Sequence, residues 1–444
     1  MHAAQNELIT RVGPGTPCGE LLRRYWQPVA LLDEFDPRLD PRMAGRPVKP
    51  VRLMGQELVL FKDGEGRFGL LDRDCPHRGA DLAFARHEAD GIRCPFHGWK
   101  FAVDGTCLET PAEPAGSTLC QRVRQRSYPL LERAGVLFAY LGPEDSTPPA
   151  LPAFDCFTAP ATHSFAFKGL WHCNWLQAFE VGIDPAHPSF LHRYLQDDTL
   201  DATFGRQFRA ATAGVVNGER WPMTRVMRER FSPEIRFDEV APGLTRLTTL
   251  RAIDDAQTHV RVTHAAFPHT FVIPLSETVT ITQMHVPVDD THTYWYSFFT
   301  SFAGPLDRET MRTQRLAGPG GVTLPDYVPR RGRHDDWGYD PEEQRTRTFL
   351  GMGEEVQRAR PVGGGKHGRD PGPHARTPGH QRQGHHGPPA HAAEGDCHRA
   401  GRRCAAVRVD GRRGRHGAWA GHHRLHRAGH RLGTALAGRC PRQA

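Results

Sequence analysis

The chain lacks any long apolar run. No stretch approaches the roughly 18 apolar residues that a membrane-spanning helix needs, and the first residues contain no signal-peptide core. A glycine-rich phosphate loop is also missing, so we do not expect the chain itself to bind flavin or nicotinamide. The ten cysteines are scattered without a disulfide framework. These deficiencies favour a soluble cytoplasmic protein with no membrane partner.

The last part of the chain lacks the residues that build a hydrophobic core. Residues 357–444 contain no Ile, Phe, Tyr or Met, yet they hold 12 of the 26 histidines. They carry 18 Lys and Arg against 4 Asp and Glu, so they contribute +14 to the formal net charge of +7, and residues 1–356 sum to −7. Such a composition predicts a disordered basic tail.

Three interpretations of this tail remain open. A basic nucleic-acid arm usually includes several lysines, but 17 of the 18 basic residues are Arg. A histidine-rich metal tract is disfavoured because the histidines have no repeated spacing. We favour the third interpretation, an out-of-frame translation of a GC-rich gene, since Arg, Gly, Pro, Ala and His have GC-rich codons. We therefore predict no nucleic-acid partner.

The codons for the tail permit an alternative reading frame with a protein-like sequence. Synonymous codons for the segment that begins RARPVGGGKHG, read one base later, permit VHDQWAVESMGG and a continuation with apolar periodicity and acidic residues. A one-base insertion or deletion near the Val356 codon would explain the change. The nucleotide sequence of the gene would show it.

The strongest motif lies near the N-terminus. Cys75 and His77 stand as C-x-H in CPHRGADL, and after a gap of 16 residues Cys94 and His97 stand as C-x-x-H in CPFHGWKF. Two thiolates and two imidazoles can hold a [2Fe–2S] cluster, with both cysteines on one iron and both histidines on the other. Neutral imidazoles raise the potential of such a Rieske cluster, which then accepts an electron and passes it on.

Zinc is the alternative occupant of these four residues. Structural zinc usually takes paired C-x2-4-C and H-x3-5-H ligands rather than the mixed pairs found here. Proline follows each cysteine directly, and Gly79 and Gly98 are suited to tight turns. We therefore favour the cluster.

A second metal motif lies in the segment HCNWLQAFEVGIDPAHPSFLHRYL. Asp184, His187 and His192 stand there as D-x-x-H-x4-H. Asp184 and His187 would share one face of a helix, whereas a regular helix would splay His192 away. Pro188 favours a local break that brings both imidazoles to one point. The set could bind iron and leave positions open for O2 and substrate; the alternative is a pair of ordinary histidines on a half-buried helix.

Hydrophobic patterning predicts an α+β chain. We expect a lead-in over 1–45, with a short helix and a strand in GELLRRYWQPVALLDEF, and then an antiparallel β domain with the cluster over 46–145. After a Pro-rich linker, a catalytic domain over 155–356 would place helices on a large antiparallel sheet, with residues 165–195 helical. The tail, 357–444, follows.

The chain resembles the oxygenase (α) subunits of the Rieske non-haem iron oxygenases, especially the phthalate and phenoxybenzoate branch of aromatic-ring oxygenases. The resemblance rests on CPHRGADL, CPFHGWKF, NWLQAFEVGIDPAHPSFLH and the domain order, and covers roughly residues 10–356. It implies one [2Fe–2S] cluster on the four Cys and His residues above, and one catalytic Fe(II) on His187 and His192.

The resemblance also implies how the two centres communicate. Asp184 resembles the bridging aspartate that accepts a hydrogen bond from a cluster histidine of a neighbouring subunit and conducts the electron. Such enzymes are commonly homotrimers, and a separate flavin and iron–sulfur reductase supplies electrons. O2 would be the co-substrate, and oxygen would enter a small aromatic substrate that we expect to bear a carboxylate. Dihydroxylation, monohydroxylation and O-demethylation all remain open.

One departure from the family pattern bears on activity. The family takes its third iron ligand from an Asp in a C-terminal stretch resembling D-x-x-x-x-E, and nothing after Val356 matches it. The alternative frame supplies such an Asp, whose codon straddles those of Arg360 and Pro361. Four other carboxylates could substitute, although none lies in a recognisable motif: Asp336, Asp340, Glu354 and Glu355.

The missing carboxylate leaves a rival function open. The chain could be an electron-transfer protein with a Rieske domain and an inactive oxygenase domain, although the intact Asp184, His187 and His192 set argues against this. The histidines on later strand-like segments are expected to be packed side chains rather than ligands: His264, His269 and His285.

Overall fold

Two structural units appear in the computed structural model, which describes residues 3–197, 212–216, 218–317, 321–353 and 423–427. The first is built from small antiparallel sheets, and the second places helices on one large antiparallel sheet. This is the α+β architecture that the patterning predicts. Apart from 423–427, the tail predicted to be disordered lies outside the described residues.

Short strands separated by turns build the first domain. Its sheets have the strand orders β2-β3-β4, β5-β6-β7-β8 and β1-β10-β9. Since β1 pairs with β10, part of the predicted lead-in belongs to these sheets, and α2 and β1 confirm the predicted helix and strand. The elements are α1 (Ala3–Thr10), α2 (Pro17–Leu22), β1 (Gln27–Leu31), β2 (Val48–Leu53), β3 (Gln56–Lys62), β4 (Phe68–Asp72), β5 (Arg86–Glu88), β6 (Gly91–Arg93), β7 (Lys100–Phe101), β8 (Cys107–Glu109), α3 (Leu119–Arg122), β9 (Leu130–Arg133) and β10 (Val136–Ala139).

Long strands dominate the second domain. Seven of them follow the order β11-β19-β18-β17-β16-β15-β14, and β22 pairs with β16 beside this path. The elements are α4 (Asp155–Thr158), β11 (Ser164–Trp171), α5 (Trp175–Ile183), β12 (Thr212–Val216), β13 (Glu219–Pro222), α6 (Met223–Glu229), β14 (Glu234–Ala241), β15 (Leu244–Ala252), β16 (Gln257–Ala266), β17 (Thr270–Pro274), β18 (Val279–Pro287), β19 (Thr293–Ser301), α7 (Arg308–Ala317), β20 (Val322–Thr323), β21 (Val328–Pro329), α8 (Pro341–Thr346) and β22 (His423–Arg427).

The prediction of helix over 165–195 holds only for Trp175–Ile183 and is wrong for the residues on either side. Ser164–Trp171 is a strand, paired antiparallel with β19 through its whole length, and helix begins only at Trp175. Phe165 and Phe167 are buried in the same aromatic cluster as Phe299 of β19. Alternating aromatic side chains suit a half-buried strand.

Helix α5 covers one face of the large sheet and thereby positions the second metal motif. Phe179 and Ile183 of the helix pack in one buried cluster with Phe271 and Ile281 of the sheet. The start of the helix is tied down by Asn174, whose side chain accepts a hydrogen bond from the Leu176 N–H at 3.1 Å. The end of the helix consequently projects Asp184 and the segment after it from a fixed point.

The two domains meet in a buried charge cluster. Glu34 of the first domain accepts a hydrogen bond at 2.6 Å from Lys168 of β11, and both side chains are almost fully buried. Lys49 binds the same carboxylate, and the Lys168 ammonium lies over the rings of Tyr294 and Tyr327 at 4.2 and 5.0 Å. The carboxylate and the aromatic faces together compensate the buried ammonium.

We predict that Glu34→Gln lowers the free energy of unfolding by about 3–5 kcal/mol, because the buried Lys168 ammonium loses its carboxylate. Urea unfolding followed by tryptophan fluorescence measures the change. Glu309→Gln is the matched control: its side chain is 78% exposed beside Arg312, and the loss should stay within about 0.5 kcal/mol. Equal losses in the two variants would contradict the assignment.

The unfolding free energy of Glu34→Gln should also depend less on acidic pH than that of the parent protein. Burial opposes ionisation of Glu34, but Lys168 and Lys49 outweigh it and bring the pKa below its ordinary value of 4.5. The folded state then binds fewer protons than the unfolded one, so this stabilisation is present above pH 4.5 and is lost as the pH falls through the folded pKa. Unfolding free energies at neutral and acidic pH should therefore differ less in Glu34→Gln than in the parent protein.

Candidate metal centres

Two similar turns present the first ligand set. In the first, the Cys75 N–H donates to the Ala80 carbonyl at 2.9 Å, and the Gly79 N–H donates to the Cys75 carbonyl at 2.9 Å. Gly79 has a φ of 66°, a conformation that glycine adopts without steric cost. The turn folds back on itself and points the Cys75 and His77 side chains to one side.

The second turn repeats this pattern between β6 and β7. The Cys94 N–H donates to the Trp99 carbonyl at 2.8 Å, the Gly98 N–H donates to the Cys94 carbonyl at 3.2 Å, and Gly98 has a φ of 73°. Arg93 braces the turn through a hydrogen bond to the Gly98 carbonyl at 2.7 Å. Both glycines thus occupy the turn positions for which the sequence pattern selects them.

The four predicted cluster residues come together as one cysteine pair and one histidine pair. Cys75 and Cys94 are 2% and 3% exposed, and both lie in the same buried cluster. The His77 and His97 ring centroids lie 4.5 Å apart. Burial, reinforced by the Cys94 thiol, raises the pKa of the Cys75 thiol to about 11. A bound cation would reverse this preference, since metal coordination deprotonates a thiol outright.

His77 has a buried ring nitrogen that is available to a bound metal. Its Nδ1 is buried and makes no hydrogen bond to any residue within the described ranges, while its ring stacks on Trp99 at 4.4 Å with an interplanar angle of 3°. An unused imidazole nitrogen in a buried site is costly unless a ligand occupies it. With a cysteine pair beside a histidine pair, these residues fit the mixed ligation of a [2Fe–2S] cluster.

The second motif also forms a histidine pair. The helix ends earlier than the break predicted at Pro188: α5 stops at Ile183 and Asp184 caps it, directly before Pro185, whereas Pro188 lies inside a short 3-10 segment over His187–Ser189. The His187 and His192 ring centroids are 5.1 Å apart. The Leu191 N–H donates to the His187 carbonyl at 2.8 Å and closes the intervening turn. Both histidines are partly buried.

Asp184 orients the first of these imidazoles through its backbone. His187 Nδ1 lies 2.6 Å from the Asp184 carbonyl oxygen, which can only accept, so Nδ1 carries the proton and Nε2 retains its lone pair. A hydrogen bond of this kind fixes the tautomer of metal-binding histidines. The Asp184 carboxylate accepts a hydrogen bond from the Ala186 N–H at 2.7 Å.

No carboxylate completes the histidine pair in the part of the chain that the structure describes. Among these residues, no three His, Cys, Asp or Glu side chains converge as a site for a single metal ion. Asp336 and Asp340 are exposed, and Asp340 caps helix α8 instead. Glu354 and Glu355 lie outside the described residues. The second motif therefore offers only two imidazole ligands to Fe(II). A [2Fe–2S] cluster, in contrast, takes only two protein ligands on each of its irons.

Sequence reasoning missed Arg251. Its side chain is buried to 2% exposure on β15, where Nη2 donates to the Pro185 carbonyl and Nε to the Arg230 carbonyl, both at 3.0 Å. Nη1 is buried and makes no hydrogen bond within the described ranges. Burial lowers the pKa of Arg251 to about 10. The only sequence signal was its period-two spacing from Leu247, which places both side chains on the face covered by α5.

Two of the three histidines that were expected to be packed side chains are buried. His269 is buried, with Nε2 2.7 Å from Gln27 Oε1 in the first domain. His285 is buried against the rings of Phe271 and Trp171. His264 is only partly buried on β16. No helix among the described residues is long and apolar enough to cross a membrane.

Cys94→Ser should abolish cluster binding, because a serine hydroxyl is a poor substitute for thiolate on iron. The visible absorption and the electron paramagnetic resonance signal of the reduced cluster measure the loss. Cys156→Ser, a change of another buried cysteine in a different core cluster, should retain both signals. A protein with Cys94→Ser that kept a full cluster spectrum would refute the ligand assignment.

Two family models match consecutive parts of the chain. Residues 26–129 match the Rieske [2Fe-2S] domain, and residues 139–354 match a domain described as LigXa C-terminal domain like. The first model contains both cysteine–histidine turns, and the second contains the Asp184, His187 and His192 segment.

Two characterised relatives align over most of the chain, and a third aligns over less than half of it. The phthalate 4,5-dioxygenase oxygenase subunit of Pseudomonas putida is 35% identical over 356 residues, which are 78% of this chain and 75% of the relative. The phenoxybenzoate dioxygenase subunit alpha of Ectopseudomonas oleovorans is 36% identical, over 64% of this chain and 65% of the relative. The 5,5'-dehydrodivanillate O-demethylase oxygenase subunit of a Sphingobium strain is 43% identical, over 43% and 44% respectively.

Proposed function

Because the chain belongs to the family of Rieske-type oxygenase subunits, we propose that it inserts oxygen from O2 into an aromatic substrate that bears a carboxylate. The family uses a [2Fe–2S] cluster, a mononuclear iron and O2. The observation that carries the proposal is the pair of cysteine–histidine turns with buried cysteines, followed by a histidine pair with a fixed tautomer. One-electron transfer by a cluster and O2 binding at a ferrous ion are the chemistry that these groups would supply.

The chain's own residues would prepare the electron path. The Asp184 backbone holds His187 with Nε2 directed to the metal, and its partly exposed carboxylate is available to a histidine of another protomer. His77 and His97 are also partly exposed, beside the exposed Phe96 ring. We infer a homotrimer in which this face meets the Asp184 segment of a neighbouring copy. A separate reductase or ferredoxin would provide the electrons.

Arg251 supports a carboxylate on the substrate. A buried guanidinium normally pairs with an acid, but the acceptors that the structure gives Nε and Nη2 are both neutral carbonyls. One of these carbonyls belongs to Pro185, between Asp184 and His187, so Arg251 lies directly behind the iron-binding segment. A substrate carboxylate that reached Nη1 would receive a charge-assisted hydrogen bond and compensate the buried charge.

The presence of a third iron ligand distinguishes the oxygenase from the rival function, an electron-transfer protein. Two imidazoles alone should hold Fe(II) weakly, so the printed chain could transfer electrons through its cluster without catalysing oxygenation. The alternative frame of residues after 356 would restore an aspartate in the family pattern. The oxygenase function is therefore proposed for the frame-restored chain, and its cytoplasmic location stays a prediction for cell fractionation.

Metal analysis tests this distinction. The frame-restored protein should contain about three irons per chain, whereas the chain as printed should contain about two, all in the cluster. Both should show the same cluster spectrum, since the four cluster residues precede the change in frame. Product formation that depends on O2 and a reductase should occur only with the restored chain. A third tightly bound iron in the printed chain would contradict the argument.

A second test concerns substrate recognition in the frame-restored protein. Arg251→Met should raise KM for an aromatic carboxylate by about tenfold to hundredfold, because one charge-assisted hydrogen bond is lost. The corresponding neutral amide should be affected far less. Arg246→Met, on the exposed part of the same strand beside Asp238, is the control and should leave both constants unchanged. Equal effects on acid and amide would exclude carboxylate recognition by Arg251.

A further inference from the structure

Two cysteines outside the metal-binding turns lie side by side in the first domain. The Cys120 thiol of α3 donates to the Cys107 carbonyl of β8 at 3.0 Å, and the Cys107 thiol donates to the Glu109 carbonyl at 3.7 Å. Both are free thiols in the structure. Cys107 is 5% exposed, whereas Cys120 is only partly buried. The fold thus creates a pair that the scattered sequence positions do not reveal.

Backbone hydrogen bonds fix the positions of the two cysteines. Thr106 and Arg124 form an isolated antiparallel bridge next to the cysteines, and the Gln125 N–H donates to the Gly105 carbonyl at 2.8 Å. The chain between the cysteines therefore leaves and returns at fixed points. Two cysteines held this close by such a frame need little backbone movement to reach disulfide geometry.

The segment between the two cysteines touches the second cluster turn. A Cβ placed on Gly98 would lie 3.0 Å from the Pro111 ring, so the two backbones approach closely there. Arg93 joins the same parts by binding both the Gly98 carbonyl and the Glu109 carboxylate at 2.7 Å. Cys107 itself packs in the buried cluster that contains Cys75 and Cys94. Any covalent link in the segment is thus formed beside the redox centre.

We propose that Cys107 and Cys120 form a reversible disulfide when the protein meets hydrogen peroxide. The more exposed Cys120 sulfur attacks one peroxide oxygen, the O–O bond breaks, and a sulfenic acid and one water form. The Cys107 sulfur then displaces the hydroxyl group, which leaves as a second water when the S–S bond closes. Each sulfur loses one electron overall, and the peroxide is reduced to two waters.

Peptide mapping of the full-length protein with its cluster in place tests the proposal. Trypsin leaves both cysteines in one peptide, 101–122, because no Lys or Arg lies between Lys100 and Arg122. After peroxide treatment, alkylation and digestion, this peptide should have lost two hydrogens and taken up no alkylating agent. Cleavage after Glu109 should leave its two halves joined until dithiothreitol is added. The visible absorption of the cluster is recorded at every peroxide concentration.

Matched variants make the assignment specific. Cys120→Ser should lose the disulfide completely and leave Cys107 alkylated, whereas Cys18→Ser, at a buried position in another core cluster, should leave disulfide formation unchanged. The proposal is overturned if the parent 101–122 peptide keeps two alkylatable thiols at peroxide concentrations that preserve the cluster absorption. Separate oxidation of the two sulfurs to sulfinic acids would overturn it as well.

Discussion

The placement of the four proposed cluster ligands depends on two backbone hydrogen bonds, from the Cys75 N–H to the Ala80 carbonyl and from the Cys94 N–H to the Trp99 carbonyl. Each bond closes a six-residue turn, and a glycine with positive φ lets the chain reverse within it. A cysteine begins each turn, so the two thiols meet in the buried core while the histidines lie nearer the surface. Burial of the thiols and partial exposure of the imidazoles suit a centre that receives electrons from outside and keeps its sulfur ligands dry.

The sequence alone predicts these features well because their causes are local. A cysteine, a proline and a glycine in a short window determine a turn without help from distant residues. A break in this segment is predictable for the same reason, although the helix ends before Pro185 rather than at Pro188, since the residue that precedes a proline disfavours helical backbone. The large antiparallel sheet is also anticipated, and its strands β17 and β18 pair antiparallel with one another. Alternation over nine or ten residues is a strong signal for strands.

The features that sequence reasoning misses depend on tertiary contacts. Ser164–Trp171 is short and mostly apolar, and such runs are compatible with either a strand or a buried helix until the partner strand is known. An arginine within a strand is expected at the surface, yet Arg251 is buried because carbonyl groups from Pro185 and Arg230 converge on it. Neither carbonyl is identifiable as its acceptor from the sequence. The same limitation hides the contact between Cys107 and Cys120, which a bridge at Thr106 creates.

The two metal sites differ in how far along the chain their ligands are spread. All four cluster residues lie within 23 positions and in one domain, so that site is complete well before residue 139. The histidine pair is equally local, and the Asp184 carbonyl fixes the His187 tautomer without a contribution from the C-terminal part of the chain. A third ligand must come from elsewhere, and its loss would leave the imidazoles oriented but short of one donor. A change of reading frame after residue 356 would therefore remove iron affinity at one centre and preserve electron transfer at the other.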